Sequence, residues 1–577
     1  MAKKSLINSI DGMVNESLIG YTLAYPQLEL HSPRVVLKAG WNELDNKVAI
    51  VSGGGSGHEP FSAGFVGAGM LSASISGSVF ASPPSGHVLH AIKCASANNN
   101  NAGCLVIIAN YTGDCLNFGL AIEKALGQGL KVVQVTVGDD CSIPDNELGK
   151  VGKRALPGII LVIKIAGAMA QNGYSIDEVA KNAQLIANNT ASCSIGLTAC
   201  KIPGEGPMFE LPDDEIEFGQ GIHGEAGYKR IKLQPVSKIV SLMINVIIKS
   251  LKIVKRDSVV ILINNFGGLS QLEQGIVVKE VVTQLQKMEI IPVRVYSGLL
   301  MTSLDSAGVH LSILKLPEND IKSILYFLDE KTEAPGWPGC SYSIALSNHQ
   351  DIMIVQEKMS QMKVGPSLNN YQEQLLRACL QKSCKAIIEK ERSINELDSG
   401  CGDGDCGTTL KNLGEGVLAA IDKLIVSHPS SLMSELANIA EERMGGTSGA
   451  LYSLMFTAAG SALSNSDNTE SWLEIWARAW RAGINGIMKY SKAVPGDKTM
   501  IDVLYPSLNE LEKDLTLPYK KAAVQVAKVA TKSAEETKNM IPKIGRASYV
   551  KQGEYLKNID AGAFAVSIWI NSITECL

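Results

Sequence analysis

The stretch that decides the fold of this chain is KVAIVSGGGSGHEP, residues 47–60. Its first six residues form an apolar, β-branched run, which is typical of a buried strand. The densest glycine cluster of the sequence follows directly and ends at His58. Because successive backbone N–H groups in such a turn can hold oxygen atoms of a ligand, we predict an α/β fold with a binding site near this turn.

Six more apolar runs of strand length follow, and helix-length segments separate them. They cover residues 104–108, 130–137, 158–163, 258–264, 290–295 and 310–316. Strands this apolar, alternating with helices, indicate α/β layers with helices on both faces of a sheet. We expect the first set of strands to close near residue 190, and residues 196–227 to join it to the second set.

The character of the sequence changes after residue 335. A Pro- and Gly-containing polar segment is followed by long amphipathic patterns, in which Trp472, Trp476 and Trp480 recur every four residues. Residues at that spacing share one helix face, which indicates core packing. We therefore predict a multidomain protein with α/β lobes at residues 1–190 and 191–335, a linker at 336–370 and an all-α domain at 371–577.

The bulk composition excludes several classes of protein. With 45% hydrophobic and 19% charged residues among 577, the chain is not disordered as a whole. A formal net charge of −5 argues against a nucleic-acid partner. No apolar stretch reaches the roughly 18 residues of a membrane span, and no secretory signal is visible. The twelve cysteines form no C-x-x-C pair, so we expect free buried thiols in a soluble, cytosolic protein.

The glycine turn that contains His58 fits neither of two common phosphate-binding motifs. The next apolar run does not end on an acidic residue, as a dinucleotide fingerprint requires, and there is no Gly-Lys-[Ser/Thr] of a Walker A loop. A tight connection with an incidental histidine remains the alternative. Because histidine titrates near neutrality, we favour a catalytic or binding role for His58.

Two further segments support a site at this edge. Asn110-Tyr111-Thr112-Gly113-Asp114 follows the strand at 104–108, and Asp114 is suited to accept a proton or orient a hydroxyl. Residues 221–227, GIHGEAG, present His223 between glycines. Each segment alone is a weak signal.

A loop in the helical region carries three carboxylates, Asp398, Asp403 and Asp405, with glycines between them. Hard oxygen ligands of this kind suit Mg²⁺. An EF-hand is excluded because Gly407 and Gly414 fall on its ligand positions. A solvated acidic turn is the alternative.

Residues 445–450, GGTSGA, precede an apolar helix and form a natural phosphate site. Loops with Lys498 and Arg546 add cations. Carboxylates for metal, a phosphate site and cations are together the components of phosphoryl transfer, here without a P-loop.

These motifs, taken in order over essentially the whole chain, resemble the dihydroxyacetone kinase family. Residues 53–60, 110–114 and 221–225 look like its K domain, and residues 403–408, 445–449 and 545–549 look like its nucleotide-binding L domain. The resemblance implies a K domain of two α/β lobes and an L domain that is an eight-helix barrel holding Mg²⁺ and ATP. Since both domains share one chain, the type implied is the ATP-dependent one.

The resemblance also implies roles for individual residues. His223 would bond covalently to the carbonyl carbon of a short-chain ketose or aldose as a hemiaminal, while His58 and Asp114 assist the attacking hydroxyl. Asp398, Asp403 and Asp405 would bind two Mg²⁺ ions. The implied sugar-binding residues are Gly55, Ser56, Gly57, His58, Ala109 and Asp114. The implied nucleotide-binding residues are Asp403, Gly404, Asp405, Cys406, Thr408, Thr409, Gly446, Thr447, Ser448, Gly486, Lys498, Thr499, Arg546, Asp560, Ala561 and Gly562.

Two positions depart from the family pattern. The family usually has lysine where this chain has Ala109, so we expect a raised Michaelis constant for the sugar or a shifted substrate preference. It reads Asp-Pro-Gly-Ala where this chain has Asp560-Ala561-Gly562-Ala563, a change that removes a fixed φ but no charge.

Three functions follow as hypotheses. The first is a kinase that phosphorylates dihydroxyacetone and glyceraldehyde with Mg²⁺ and ATP. The second, in the same L-domain site, is a lyase that splits FAD into cyclic FMN and AMP, for which Mn²⁺ or Co²⁺ is plausible. The third is a catalytically inactive regulator on the same fold. The family also implies a homodimer in which the L domain of one subunit reaches the K domain of the other.

Overall fold

The computed structural model describes residues 4–41, 46–339, 365–399, 402–466, 471–544, 548 and 554–577. The chain divides into two compact units, Met1–Ile352 and Met353–Leu577. The first contains two β-sheets and the second, in its described residues, is helical, so the predicted combination of an α/β and an all-α part is confirmed. Among the helices described, none is long and apolar enough to span a membrane.

In its described residues, the first unit holds two six-stranded sheets. Their strands are β1 (Leu28–His31), β2 (Val35–Lys38), β3 (Ala49–Ser56), β4 (Ala73–Val79), β5 (Cys104–Ala109), β6 (Val132–Val137), β7 (Thr190–Gly196), β8 (Glu215–Phe218), β9 (Lys229–Lys232), β10 (Ser258–Asn265), β11 (Ile291–Gly298) and β12 (Gly308–Lys315). The first sheet has the order β1-β2-β4-β3-β5-β6, with β4, β3, β5 and β6 parallel. The second has the order β11-β10-β12-β7-β8-β9 and is mixed.

The described residues of this unit also form eight helices. They are α1 (Met13–Ala24), α2 (Ser85–Ser96), α3 (Thr112–Leu126), α4 (Gly158–Gln171), α5 (Ile176–Asn188), α6 (Val236–Leu251), α7 (Gln271–Lys287) and α8 (Ile321–Asp329). Helices α2 and α3 cover one face of the first sheet, α6 and α7 cover one face of the second, and α4 contacts strands of both.

Side chains that alternate along the strands account for this layering. In β5, Val106 packs outward under α2 and α3, whereas Leu105 and Ile107 pack inward. In β10, Ile261 packs under α6 and α7, whereas Leu262 joins the same inward core as Leu105. Because successive strand residues point to opposite faces, each sheet is covered on both sides, which explains its continuous apolar runs.

The strand predicted at residues 158–163 is wrong, because these residues begin helix α4. Every residue from Gly158 to Ala170 is buried, including Lys164. A helix enclosed on all sides is apolar all round and shows no amphipathic period, so its sequence resembles that of a buried strand. The isolated polar head of Lys164 is satisfied by the Phe327 carbonyl, 2.7 Å away at the end of α8.

The segment predicted to join the two sets of strands also contributes to the second sheet. Strand β8 lies within residues 196–227 and pairs with β7, so that Ile195 faces Phe218. Four-residue strands of mixed polarity carry too little periodicity to be recognised from sequence.

Two helical glycines should respond in opposite ways to alanine. A Cβ on Gly167 in α4 would lie 2.3 Å from Met70 Cα, whereas a Cβ on Gly275 in α7 would meet nothing within 4 Å. We expect Gly167→Ala to lower the free energy of unfolding by about 1–3 kcal/mol through overpacking. Gly275→Ala should raise it by about 0.5–1 kcal/mol, because alanine reduces the entropy of the unfolded chain.

Urea unfolding of the two variants beside the parent protein measures both effects. Equal shifts in the same direction would show that the close packing of α4 against Met70 is not present in solution.

The second unit consists of helices that form a closed ring. They are α9 (Asn370–Glu389), α10 (Glu391–Asp398), α11 (Cys406–Ala420), α12 (Pro429–Arg443), α13 (Gly446–Ser464), α14 (Trp472–Ser491), α15 (Ile501–Leu511), α16 (Tyr519–Glu536) and α17 (Ala561–Thr574). From α11 to α17 each helix packs against the next, and α9 closes the ring by packing against both α17 and α11. Eight helices therefore make the barrel that the resemblance implied, and the short α10 lies beside α11 and α17.

The three tryptophans predicted to form a core stripe all lie on α14. The rings of Trp472 and Trp476 are 6.5 Å apart and pack against the apolar cluster that contains Leu432 and Leu436. Trp480 packs against a second cluster, around Ile484. Their role in packing is confirmed.

Candidate active site

The first sheet places two of the predicted motifs next to each other. The chain leaves β3 for β4 on one side and then crosses to β5 on the other side, so the strand order reverses between β3 and β5. Ligands of α/β sheets bind in the crevice at the carboxyl ends of the strands at such a reversal. His58 follows β3 by two residues, and Asp114 lies in the first turn of α3 after β5.

The glycines predicted as a turn after β3 are part of the strand itself. Gly53 and Gly54 pair with Ile75 and Ser76 of β4, and a Cβ on Gly53 would lie 2.3 Å from the Ile75 carbonyl oxygen. Glycine is required here by the close approach of two strands, so these N–H groups do not form the predicted cradle. The turn begins only at Gly57, whose φ is +99°.

His58 is 2% exposed and has one ring nitrogen available to a ligand. Its Nδ1 lies 2.8 Å from the Thr302 carbonyl oxygen. Because a carbonyl oxygen can only accept a hydrogen bond, Nδ1 is the donor and carries the ring proton. Its Nε2 is buried and has no hydrogen-bond partner among the residues that the structure describes. Burial and the nearby His223 lower the pKa of His58 to about 3. Its Nε2 is therefore an unprotonated acceptor at neutral pH.

Asp114 is the second buried acceptor at this edge. It is 5% exposed, and within the described part of the chain its Oδ1 has no hydrogen-bond partner. Its other carboxylate oxygen faces β3, since a Cβ on Gly54 would lie 3.9 Å from Oδ2. Burial raises the pKa of Asp114 to about 6, and the Ser82 hydroxyl partly opposes this shift. A carboxylate with such a pKa is suited to take a proton near neutrality.

His223 lies in a cage of three rings. Its ring centroid is 4.5 Å from that of Tyr111, 4.9 Å from that of His58 and 5.6 Å from that of Phe80, each pair edge-to-face. Burial lowers the pKa of His223, while Glu225 raises it in part. A neutral imidazole keeps a nitrogen lone pair for attack on a carbonyl carbon. The structure thus brings His58 and His223 together from segments far apart in sequence.

A chain of charges holds the loop that carries His223. Arg154 contacts Asp140 at 2.7 Å and Glu225 at 3.0 Å, and Glu225 accepts the backbone N–H of His223 at 3.0 Å. Arg154 also donates to the Gly219 carbonyl at 2.7 Å. These bonds fix the backbone of the loop, so the cage of rings rests on a rigid support.

Several residues of this site lie outside the predicted motifs. Phe80, Arg154 and Thr302 belong to none of the motifs, and Thr302 is 244 residues from its partner His58. The Thr302 loop is held in turn by Asn264, whose Oδ1 accepts the backbone N–H groups of Leu300 and Met301 at 2.8 Å. Tyr111 and Glu225 lie within the predicted motifs at residues 110–114 and 221–227, next to residues predicted for the site.

The remaining predicted sugar residues lie around the same crevice. Gly55 approaches Phe80 and Ala81 so closely that a Cβ would lie 2.8 Å from the Ala81 nitrogen. Ser56 donates to the Gly77 carbonyl at 2.8 Å. Ala109 is the last residue of β5 and is 5% exposed.

In the second unit, Asp398, Asp403 and Asp405 converge as predicted. One oxygen of each carboxylate lies within 4.8 Å of the others. Asp398 also builds the loop, because its Oδ2 accepts the backbone N–H groups of Gly404, Asp405 and Cys406 at 3.0–3.3 Å. A cluster of hard carboxylate oxygens on a loop of this shape fits Mg²⁺.

Asn395, which lies in none of the predicted motifs, orders the start of α11. Its Oδ1 accepts the N–H groups of Gly407 and Thr408 at 2.6 and 3.1 Å, and its Nδ2 donates to the Thr408 hydroxyl. A Cβ on Gly407 would lie 2.1 Å from the Glu391 carbonyl oxygen, which explains the glycine. Thr409, one residue on, donates its N–H to the Asp405 carbonyl.

The start of α17 lies beside the carboxylate loop. Asp560 caps this helix by accepting the Ala563 N–H at 2.8 Å, and Ala561 and Gly562 form its first turn. Burial, together with the carboxylates of Asp502 and Asp398, raises the pKa of Asp560 to about 6. The beginnings of α11, α15 and α17 therefore meet at one end of the barrel.

The other predicted nucleotide residues take different positions. Gly446 begins α13 with φ +56°, Thr447 is exposed and Ser448 is half-buried, so this helix start is accessible to an anion. Thr499 donates its N–H to Asp502 at 2.7 Å, whereas the ammonium of Lys498 is buried against the Leu556 carbonyl. Gly486 permits close packing of α14 on Ala458 of α13. Arg546, with Gly545 and Ala547, lies outside the described residues.

Comparison with known proteins gives matches over nearly the full length. Residues 19–336 match the family model described as Dak1 domain, and residues 385–575 the model described as DAK2 domain. Triokinase/FMN cyclase of Mus musculus is 37% identical over 589 residues, covering 100% of this chain and 99% of the relative. Dihydroxyacetone kinase 1 of Saccharomyces cerevisiae is 33% identical and covers 98% of each chain.

Solved structures of two kinds of protein, a kinase and a co-activator, are similar to this chain. The dihydroxyacetone kinase of C. freundii superposes with a TM-score of 0.67 at 32% identity and covers 100% of both chains; it is also known in complex with AMP-PNP and Mg²⁺. The dihydroxyacetone kinase operon co-activator Dha-DhaQ is 31% identical with a TM-score of 0.51 and covers 56% of this chain and 98% of its own.

Proposed function

Since the chain belongs to the dihydroxyacetone kinase family, we propose that it transfers a phosphoryl group from ATP to dihydroxyacetone and D-glyceraldehyde. The observation that carries the proposal is the pairing of a neutral, caged His223 with the free, unprotonated Nε2 of His58. His223 can thus anchor a carbonyl group, and the adjacent His58 can accept a hydrogen bond from a hydroxyl group. This suits a small sugar, which has a carbonyl and hydroxyl groups close together. In the relative from Mus musculus the name triokinase agrees with this substrate class.

His223 would hold the triose as a hemiaminal. One ring nitrogen of His223 bonds to the carbonyl carbon. The carbonyl oxygen gains the proton that the other ring nitrogen loses, and so becomes a hydroxyl. A three-carbon sugar offers few noncovalent contacts, so a covalent bond supplies the positioning that lowers the barrier. Asp114 Oδ1 then accepts the one hydrogen of the attacking hydroxyl and takes its proton, while His58 Nε2 accepts a hydrogen bond from another hydroxyl of the bound sugar.

Asp398, Asp403 and Asp405 would hold Mg²⁺ with the nucleotide. When bound, the metal neutralises charge on the phosphates. The accessible start of α13 at Gly446 would contribute backbone N–H groups to a phosphate. The solved relative from C. freundii that contains AMP-PNP and Mg²⁺ supports this assignment.

We propose that the same nucleotide site splits FAD into cyclic FMN and AMP, with Mn²⁺ or Co²⁺ as metal. The support is the name FMN cyclase, carried by relatives 36–37% identical over their full length. Product analysis with FAD, under Mg²⁺, Mn²⁺ and Co²⁺ in turn, tests this activity. Formation of FMN and AMP without the cyclic product would contradict it.

The alternative of an inactive regulator has one observation in its favour, the likeness to a co-activator. That likeness covers only 56% of this chain, whereas the carboxylate cluster lies in the second unit. An ADP-release assay with dihydroxyacetone, ATP and Mg²⁺ separates the two: we expect turnover, and its absence with a folded protein would favour the regulator. A cytosolic location and a homodimer remain predictions from the sequence.

The pH dependence of the kinase should report Asp114. We expect kcat/KM for dihydroxyacetone to fall as the pH is lowered through about 6, because protonated Asp114 cannot accept the hydroxyl proton. His58, with a pKa of about 3, stays neutral over this pH range, so its titration adds no second fall to the pH–rate profile. A pH–rate profile measures the effect, with the residual activity of Asp114→Asn as the control. An acidic limb that persists unchanged in Asp114→Asn would exclude Asp114 as its cause.

A further inference from the structure

A second group of metal-ligating side chains lies in the first unit, where α2 covers the outer face of the first sheet. It consists of His31 at the end of β1 and of His90 and Cys94 on α2. One potential ligand atom of each lies within 4.8 Å of those of the other two. We refer to these three residues as the His–His–Cys cluster.

Two features of the fold bring the three residues together: their spacing along α2 and the packing of α2 against the sheet. His90 and Cys94 are four residues apart on α2, so they share one helix face. His31 comes from the edge of the sheet, where β1 pairs with β2 and α2 packs against β2. Cys94 is 8% exposed and His31 and His90 are half-buried, so an ion can enter from the side of the histidines.

The spacing of the ligand atoms already suits a tetrahedral ion. Cys94 Sγ lies 3.6 Å from His90 Nε2. In a tetrahedral zinc site, usual Zn–S and Zn–N lengths place sulfur and nitrogen about 3.6 Å apart. A plain S–H···N hydrogen bond would also explain this one distance, but it would not require a second imidazole beside the pair.

Glu29 adds a fourth group to the cluster. Its Oε2 lies 3.5 Å from His31 Nε2, and the Trp41 indole N–H donates to the same oxygen at 3.2 Å. The ring of Trp41 also lies edge-on to His31, with centroids 5.0 Å apart. A carboxylate held next to a histidine either completes a four-ligand set or orients the imidazole from outside, and both arrangements are common in zinc sites.

We propose that the His–His–Cys cluster binds a zinc-type divalent ion, with Glu29 as its fourth ligand or outer partner. One thiolate and two imidazoles are borderline-soft ligands, which select zinc over the hard Mg²⁺ that the carboxylate loop prefers. On binding, the thiol proton of Cys94 leaves to solvent and the sulfur bonds to the metal. The ion ties the edge strand β1 to α2, the helix that follows the segment with Phe80 and Ser82.

Zinc titration of the full chain tests the proposal, with excess Mg²⁺ to fill the carboxylate loop and a chromophoric chelator as competitor. We expect one zinc ion per chain to bind, and Cys94→Ser, His90→Gln and His31→Gln each to weaken this binding by at least about 100-fold. His87→Gln removes a histidine of the same helix outside the cluster and should leave the affinity unchanged. Because His31 and His90 are half-buried, these two variants keep the test valid if Cys94→Ser fails to fold.

Cobalt provides the second readout. Co²⁺ in the site should show thiolate-to-metal charge-transfer absorption, which Cys94→Ser abolishes and Cys406→Ser, beside the carboxylate loop, retains. Zinc should also raise the midpoint of thermal unfolding in the parent protein and not in His90→Gln. Unchanged zinc affinity in all three cluster variants, or a charge-transfer band that depends on Cys406 instead, would overturn the proposal.

Discussion

Replacing His223 by alanine should abolish triose phosphorylation and largely spare FAD cleavage. We expect kcat/KM for dihydroxyacetone and for glyceraldehyde to fall by about 10³-fold or more, because the substrate loses its covalent anchor and the positioning that it supplies. FAD has no ketone or aldehyde carbonyl for such an anchor, and its proposed site lies in the second unit. Parallel assays of ADP release and of cyclic FMN formation measure both reactions in one preparation.

The contrast between the two reactions makes this experiment decisive. If both activities fall equally, His223 is not a dedicated sugar anchor, and loss of folding must then be checked by thermal unfolding. If neither falls, the cage formed with Tyr111, His58 and Phe80 does not hold the substrate. Only the selective loss supports the proposed role.

Replacing Asp405 by asparagine should instead abolish both reactions. The carboxylate of Asp405 belongs to the cluster proposed to hold the metal with the nucleotide. Since loss of one charged ligand weakens metal binding and removes stabilisation of phosphate charge, we expect kcat for both reactions to fall by about 100-fold or more. Asp403→Asn should behave in the same way.

Two variants serve as controls for the metal site. Asp422→Asn removes an exposed carboxylate of the same unit outside the loop and should leave both rates unchanged. Asp398→Asn should also disturb the loop itself, because Asp398 accepts three backbone N–H groups. If excess Mg²⁺ restores the activity of Asp405→Asn but not that of Asp398→Asn, then Asp405 acts as a metal ligand, whereas Asp398 is also needed for the structure of the loop. Retention of full activity by Asp405→Asn would place the metal elsewhere.

The variants His223→Ala and Asp405→Asn, mixed together, test the predicted homodimer. His223→Ala lacks the sugar anchor and Asp405→Asn lacks a metal ligand, so each alone is inactive as a kinase. If the L domain of one subunit serves the K domain of the other, mixed dimers of the two variants regain part of the activity. Absence of recovery, with mixed dimers shown to form, would contradict this exchange between subunits.

Much of the fold could be predicted from patterns along the chain. The apolar runs of β3, β5 and β10 and the change to amphipathic helices after residue 370 were sufficient for an α/β part followed by an all-α part. Helix α4 was mistaken for a strand because a helix enclosed on all sides has no polar face to mark its period. Gly53 was mistaken for a loop residue because close pairing of β3 with β4 is a contact between distant segments.

The candidate site divides in the same way. The sequence by itself determined which chemical groups are present: two histidines among glycines, Asp114 after a strand, and three carboxylates on a loop. The tertiary structure alone decided that His58 Nε2 is the free acceptor, because the Thr302 carbonyl 244 residues away holds Nδ1–H. It also decided that His223 lies beside His58 and that Asp114 is buried enough to titrate near neutrality. Tautomer, burial and pKa depend on which distant segments pack together, whereas residue type and local spacing are written in the chain.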